Sequence, residues 1–198
     1  VNFDFRRYWF TLVLLIVIAA MGLELIYLIA QNRRLRGIIS SFEGNYKILS
    51  QEDFVPQFTA RDLSDNVVRV EYSPDQPYTL LMWFSAACSA CEDNLQFWND
   101  LYRGYNSSGL RFMGVCTDAA NQAKNMVADY SLIFPVVYLD DEAILDAYAG
   151  YTLPQTMLIS PQGAVLKVWR GSLKQENKES ITGALAHLGS LTMEEGDI

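Results

Sequence analysis

A single histidine, His187, stands in the 198 residues. A Ser–His–Asp relay or a histidine-rich metal centre therefore has almost no material to work with. Basic charge is short as well. From Gly37 onward 10 Lys and Arg face 21 Asp and Glu, a surface that repels phosphate backbones and excludes nucleic acid as a partner. Internal repeats and low-complexity tracts are missing. Cysteine is limited to Cys88, Cys91 and Cys116.

Charge is nearly absent from one long stretch close to the start. Tyr8 to Ala30, "YWFTLVLLIVIAAMGLELIYLIA", carries one formal charge, Glu24. As a helix it would be about 34 Å long, enough to cross the hydrocarbon core of a bilayer. Tyr8, Trp9 and Phe10 at one end and Tyr27 near the other sit where interfacial aromatics belong. The run is too long for the apolar part of a signal peptide, and Leu28-Ile29-Ala30 lacks small residues at both cleavage positions. One retained N-terminal transmembrane helix is expected, about residues 8–30 within an N-terminal segment 1–30. Flanking charge argues weakly against export, since Arg6 and Arg7 precede the span and Arg33, Arg34 and Arg36 follow it.

A carboxylate inside a span is costly and usually faces protein or water. Glu24 therefore has two readings, a snorkelling or protonated side chain near the interface, or a contact with a partner helix. Ala20, one turn earlier on the same face, would allow the close approach that the second reading needs.

Residues 31–53 are polar and mixed, and read as a linker. A compact domain over 54–190 follows, with an acidic tail at 191–198. "FTARDLSDNVVRVEY" has the form of two short strands around Ser64-Asp65-Asn66. "PYTLLMWFS" (Pro77 to Ser85) is too uniformly apolar for a half-exposed strand and suits a buried parallel one. The period then changes: Leu95, Trp98, Leu101 and Tyr102 recur at helical spacing. "LRFMGVC" and "FPVVYLD" read as further strands, "DAANQAKNMVADY" and "DEAILDAYAG" as helices. "QTMLIS" and "AVLKVWRG" form a hairpin around "PQG", and Lys174 to Leu188 closes as a helix. His187 would then face the dipole near that helix's end. This order specifies an α/β fold, a mixed sheet with helices on both faces.

"WFSAACSAC" (Trp83 to Cys91) places two cysteines where a buried strand hands over to a helix. The first sulfur would face the free N–H groups and positive end of the helix, which favours a thiolate. The second lies one turn on, within reach of a disulfide with the first. Half a zinc site would need Cys116 and His187 as remaining ligands, and inert core cysteines would rarely fall at a helix start. Redox chemistry is the better reading, with no metal and no cofactor. Cys116, closing the "FMGVC" strand, is either a packing residue or a third redox sulfur.

"LLMWFSAACSAC", with "LPQTMLISPQGAVLKVWRG" some sixty residues later, resembles the thioredoxin-like thiol–disulfide oxidoreductases over about Phe54 to Leu188. With the anchor and the extra leading strands it is similar to the membrane-bound TlpA/ResA branch, with features of MauD-type members. The resemblance implies a thioredoxin-like fold, Cys88 as nucleophile, and Cys91 as the resolving sulfur. It also implies that Leu153 and a cis Pro154 bind the substrate. The chain departs from the pattern at four places. Ala87 and Ala90 replace a Trp and a Pro, Met82 stands where thioredoxins carry a buried Asp, and Asn94 replaces the acid of ResA-type members. Glu92 could take over proton transfer as an auxiliary group or simply complement the helix dipole.

These readings converge on a membrane-tethered thiol–disulfide exchange protein, its domain on the extracytoplasmic side of a bacterial inner membrane. Its partners would be a protein thiol or disulfide and, through Ala20 and Glu24, a membrane protein. Two other readings compete. One is a peroxiredoxin-like peroxidase, which Ser85-x-x-Cys88 fits in part; the other is a non-catalytic thioredoxin-fold subunit of a membrane complex.

Overall fold

The structure, a computed structural model, describes residues 9, 12–15, 17–25, 27, 28, 49–106 and 109–194. Two compact units divide the chain, Val1–Tyr46 and Lys47–Ile198. In the first, every described residue is helical. Its apolar side chains are open to solvent, Leu23 at 68% and Tyr27 at 69% exposure. Ala20 and Glu24 lie on this helix, both exposed. Among the described residues no helix is long and apolar enough to cross a membrane. The span expected over 8–30 lies in part outside the described residues, at 8, 10, 11, 16, 26, 29 and 30.

The second unit is a seven-stranded sheet with helices packed on it. In chain order it runs β1 (Phe58–Asp62), β2 (Val67–Val70), β3 (Thr79–Phe84), α1 (Ser89–Tyr105), β4 (Arg111–Cys116), α2 (Ala120–Asp129), β5 (Val136–Tyr138), α3 (Glu142–Ala147), β6 (Gln155–Ile159), β7 (Val165–Arg170) and α4 (Gln175–Glu194). The spatial order is β2-β1-β5-β4-β3-β6-β7. β3, β4 and β5 are parallel, while β1, β2, β6 and β7 join antiparallel. The mixed sheet follows from the connections: helices carry the chain over between the parallel strands, and tight turns link the hairpins.

β3 lies at the centre with all six residues buried. Alternation sends Leu80, Met82 and Phe84 to one face and Leu81 and Trp83 to the other. On the first face they meet Leu95, Trp98 and Leu101 of α1, Ala123 and Met126 of α2, and Ile181 and Leu185 of α4. On the second they meet Phe58, Val70, Leu145 and Tyr148. Full burial of one such side chain contributes about 1.5–3 kcal/mol, so the two faces hold β3 firmly. Gly150 permits the closest approach there, because a Cβ would stand 2.9 Å from both Leu145 Cδ2 and Trp83 Cζ3.

Two boundaries differ from the sequence reading. The folded unit begins before Phe54: Leu49 is 1% exposed, Arg170 donates to its carbonyl, and Glu52 and Asp53 exchange backbone hydrogen bonds with Val165. These residues fall within the expected linker, whose polar composition hides one buried leucine. At the other end α4 runs on to Glu194, into the expected tail. His187 therefore lies within the helix and not at its C-terminal turn, because Gly189 does not stop it. The remaining elements fall where the periodicity puts them.

Candidate active site

Phe84 ends β3, and the turn that follows carries the chain across to α1. Cys88 is the N-cap of α1 in extended backbone (φ −106°, ψ 98°), and its side chain makes no capping hydrogen bond. Its N–H donates to Ser85 O at 3.2 Å, and the Cys91 N–H donates to Cys88 O at 3.0 Å. The two cysteines are thus held one turn apart at the positive end of a 17-residue helix. Cys88 is partly exposed, Cys91 is wholly buried, and both carry free thiols. Burial, first, and a hydrogen bond with Cys88, second, push the Cys91 thiol far above the ordinary range. The exposed sulfur is the accessible one and the buried sulfur is held protonated behind it.

The register brings other groups alongside. Trp83 faces Gln155 and Met82 faces Thr156 across the β3–β6 pair, so Pro154 is level with Phe84, where the turn departs. The Leu153–Pro154 bond is cis. Pro154 is buried and Leu153 half-buried, and Leu153 packs on the same apolar cluster as Cys88 and Cys91. On the other flank Phe84 pairs with Cys116, the last residue of β4. Cys116 is fully buried, and burial pushes its thiol up to about 12. Its proximity also disfavours ionisation of Cys91. Such a sulfur is a weak nucleophile at neutral pH.

Glu92 is exposed, and its carboxylate beside Tyr130 pushes that phenol's pKa up. It also lies in the first turn of α1, where it complements the dipole. Met82 is buried in apolar surroundings. Asn94, also buried, serves the architecture. Its amide donates to Gly171 O (3.1 Å) and its oxygen accepts from Leu173 N–H (2.8 Å). Gly171 N–H in turn donates to Pro154 O at 2.8 Å. The Ser172 hydroxyl lies within reach of Ala90 O and of the Asp93 carboxylate. One turn, 171–173, therefore joins the start of α1 to Pro154.

The sequence reading missed Asp118, two residues past β4. Its carboxylate accepts from Ser85 Oγ at 3.2 Å, from Ala86 N–H at 2.5 Å and from Cys116 Sγ at 3.7 Å. Ser85 Oγ also accepts from Ala87 N–H at 3.1 Å. The available signal was its place at the end of the strand neighbouring β3, where side chains face the strand-to-helix turn. Among the described residues no group of three or more His, Cys, Asp or Glu side chains is arranged to hold a metal ion.

A central β3–α1 junction bearing two cysteines, opposite a cis proline on an antiparallel hairpin, defines a thioredoxin-like protein. Residues 52–168 match the AhpC/TSA family, and the chain belongs to that family. Similar curated proteins are thiol–disulfide oxidoreductases named ResA. The one from Bacillus subtilis (strain 168) is 28% identical over 135 residues, 68% of this chain and 74% of that protein. The one from Geobacillus thermodenitrificans (strain NG80-2) is 25% identical over 168 residues, 84% of this chain and 88% of that protein. Among solved structures, the thioredoxin domain of a thiol–disulfide oxidoreductase from Bacteroides vulgatus superposes with a TM-score of 0.59. It is 21% identical and covers 70% of this chain and 99% of that one. StoA from Bacillus subtilis gives 0.51 at 20% identity, covering 64% and 96%. These two likenesses concern the fold.

Proposed function

We propose that the protein is a thiol–disulfide oxidoreductase whose working couple is Cys88 and Cys91, tethered to a bacterial inner membrane with the domain on its extracytoplasmic side. The observation that carries this is the asymmetry of the pair, an accessible sulfur at a helix start and a buried, protonated one a turn behind it. The kinship with ResA proteins supports the reaction class. In the reducing direction the Cys88 thiolate attacks one sulfur of a substrate disulfide, and the other leaves as a thiolate that takes up a proton. Cys91 then gives up its proton and attacks Cys88 Sγ. The mixed disulfide breaks, the substrate leaves as a dithiol, and two electrons have passed from protein to substrate. The oxidising direction runs the same steps in reverse. Leu153 and Pro154, level with the end of β3, are suited to lining an extended substrate segment.

The tether rests on the apolar run 8–30, and Glu24 and Ala20 are assigned to a contact with a partner membrane protein. A Glu24→Leu variant should lose one specific membrane protein on co-purification from mild detergent. An unchanged set would leave the run a plain tether. For the couple, titration in thiol redox buffers followed by alkylation should show Cys88 and Cys91 oxidising together and Cys88 labelling first. A Cys91→Ser variant should accumulate a mixed disulfide on Cys88. Preferential labelling of Cys91 would reverse the roles, and two thiols indifferent to the buffer would refute the reading.

A further inference from the structure

We infer that Asp118 is the positioning residue of the exchange site, its carboxylate clamping the Ser85–Ala87 turn so that Cys91 can strike Cys88 in line. This rests on the dithiol reading of the preceding subsection. The turn has little else to hold it: Ala86 and Ala87 are exposed and carry only methyl groups. Asp118 takes three donors from it and its neighbourhood, the Ser85 hydroxyl, the Ala86 N–H and the Cys116 thiol. Through the hydroxyl it also fixes the oxygen that accepts from Ala87 N–H. The next N–H along, that of Cys88, is bonded to Ser85 O, so the clamp reaches the nucleophile's own backbone.

Cys116 acquires a role in the same arrangement. It is a donor to the clamp, buried at the strand end beside Phe84, and its proton is retained throughout. The step that depends on the clamp is resolution. Cys91 Sγ bonds to Cys88 Sγ while the bond from Cys88 to the substrate sulfur breaks, and the proton lost by Cys91 equals the one the departing sulfur gains. Attack within the protein requires the three sulfurs to be in line. The first attack is less demanding, because a free substrate can adjust its own approach.

The test uses the full chain, reduced, mixed rapidly with excess dithiobis-nitrobenzoate. Attack by Cys88 releases a first nitrobenzoate thiolate and resolution by Cys91 releases a second, so the two steps are read separately by absorbance. Asp118→Ala should slow the second phase about tenfold and leave the first within about twofold, the scale expected when a hydrogen-bonded positioning group is removed. Asp118→Asn keeps an oxygen for the Ala86 N–H and an amide that Ser85 Oγ can accept, and should restore the second phase to within about twofold of the parent. An unchanged second phase in the Ala variant, both phases slowed alike, or an Asn variant as slow as Ala would overturn the inference. A parent protein that releases one equivalent only would remove the dithiol reading and this inference with it. A biphasic parent with unaffected variants would remove this inference alone.

Discussion

Replacing Asn94 with alanine should cost the protein about 2–4 kcal/mol, although the side chain is small and polar. The magnitude comes from what the amide satisfies. Leu173 N–H is buried and Asn94 Oδ1 is its acceptor at 2.8 Å; Gly171 O receives the amide N–H at 3.1 Å. Each hydrogen bond contributes about 1 kcal/mol net, but a buried N–H left without an acceptor costs about 1–3 kcal/mol in addition. Asn94 itself is 1% exposed, so solvent reaches the vacated space poorly. Urea unfolding of the full chain, followed by circular dichroism, measures the change through the midpoint at constant slope. Gln96→Ala, on the exposed face of the same helix, serves as control and should stay within about 0.5 kcal/mol. Asn94→Asp sharpens the test. It retains the acceptor for Leu173 N–H but sets a carboxylate against the Gly171 carbonyl, which raises its folded pKa above the unfolded value. The raised value makes the variant most stable below the unfolded pKa, with stability lost as pH rises through the folded one. A loss under about 1 kcal/mol for Asn94→Ala would refute the reasoning, as would an Asp variant whose stability rises with pH relative to the parent.

Three further outcomes follow from the packing and the thiols. Gly150→Ala should destabilise by about 1–3 kcal/mol in the same unfolding assay, because the added methyl meets Leu145 and Trp83 at 2.9 Å. Thr156→Val should cost about 1–3 kcal/mol, since Trp98 Nε1 donates to Thr156 Oγ1 at 3.1 Å between two buried side chains and would lose its acceptor. Stability should fall between about pH 9 and pH 12, where the unfolded Cys116 thiol ionises and the folded one does not. Against the parent, Cys116→Ala should show a shallower fall in that window, read from urea midpoints across pH.

Much of this architecture was legible because it is periodic. Leu95, Trp98 and Leu101 share one helical stripe, and the apolar run from Thr79 to Phe84 could belong only to a buried strand. The place of the cysteine pair was legible because the period changes there from a buried strand to a helix. What escaped was contact between residues distant in the chain. Asp118 lies 32 positions from Ala86, and nothing local marks it as the acceptor for that N–H. Asn94 reads as a missing acid until Gly171 and Leu173, 77 and 79 positions away, are seen bonded to it. Leu49 disappears into the mixed sequence of the linker because a single buried position near its end sets no period. The run 8–30 signals a span by length and hydropathy alone, properties that do not require packing to be read.

The turn at 171–173 has a mechanical consequence. Gly171 takes a positive φ of 76°, so its N–H can point to Pro154 while its carbonyl points to Asn94. Helix α1 and the cis-proline strand end are therefore fastened to the same three residues and should respond to strain as one stiff body. The Ser85–Ala87 turn on the opposite side of Cys88 is fastened only through Asp118 and Ser85. A change of covalent state at Cys88 should then be absorbed on that side. In amide exchange, Ala86 and Ala87 would change protection between oxidised and reduced protein, while Leu173 and Gly171 would hold theirs.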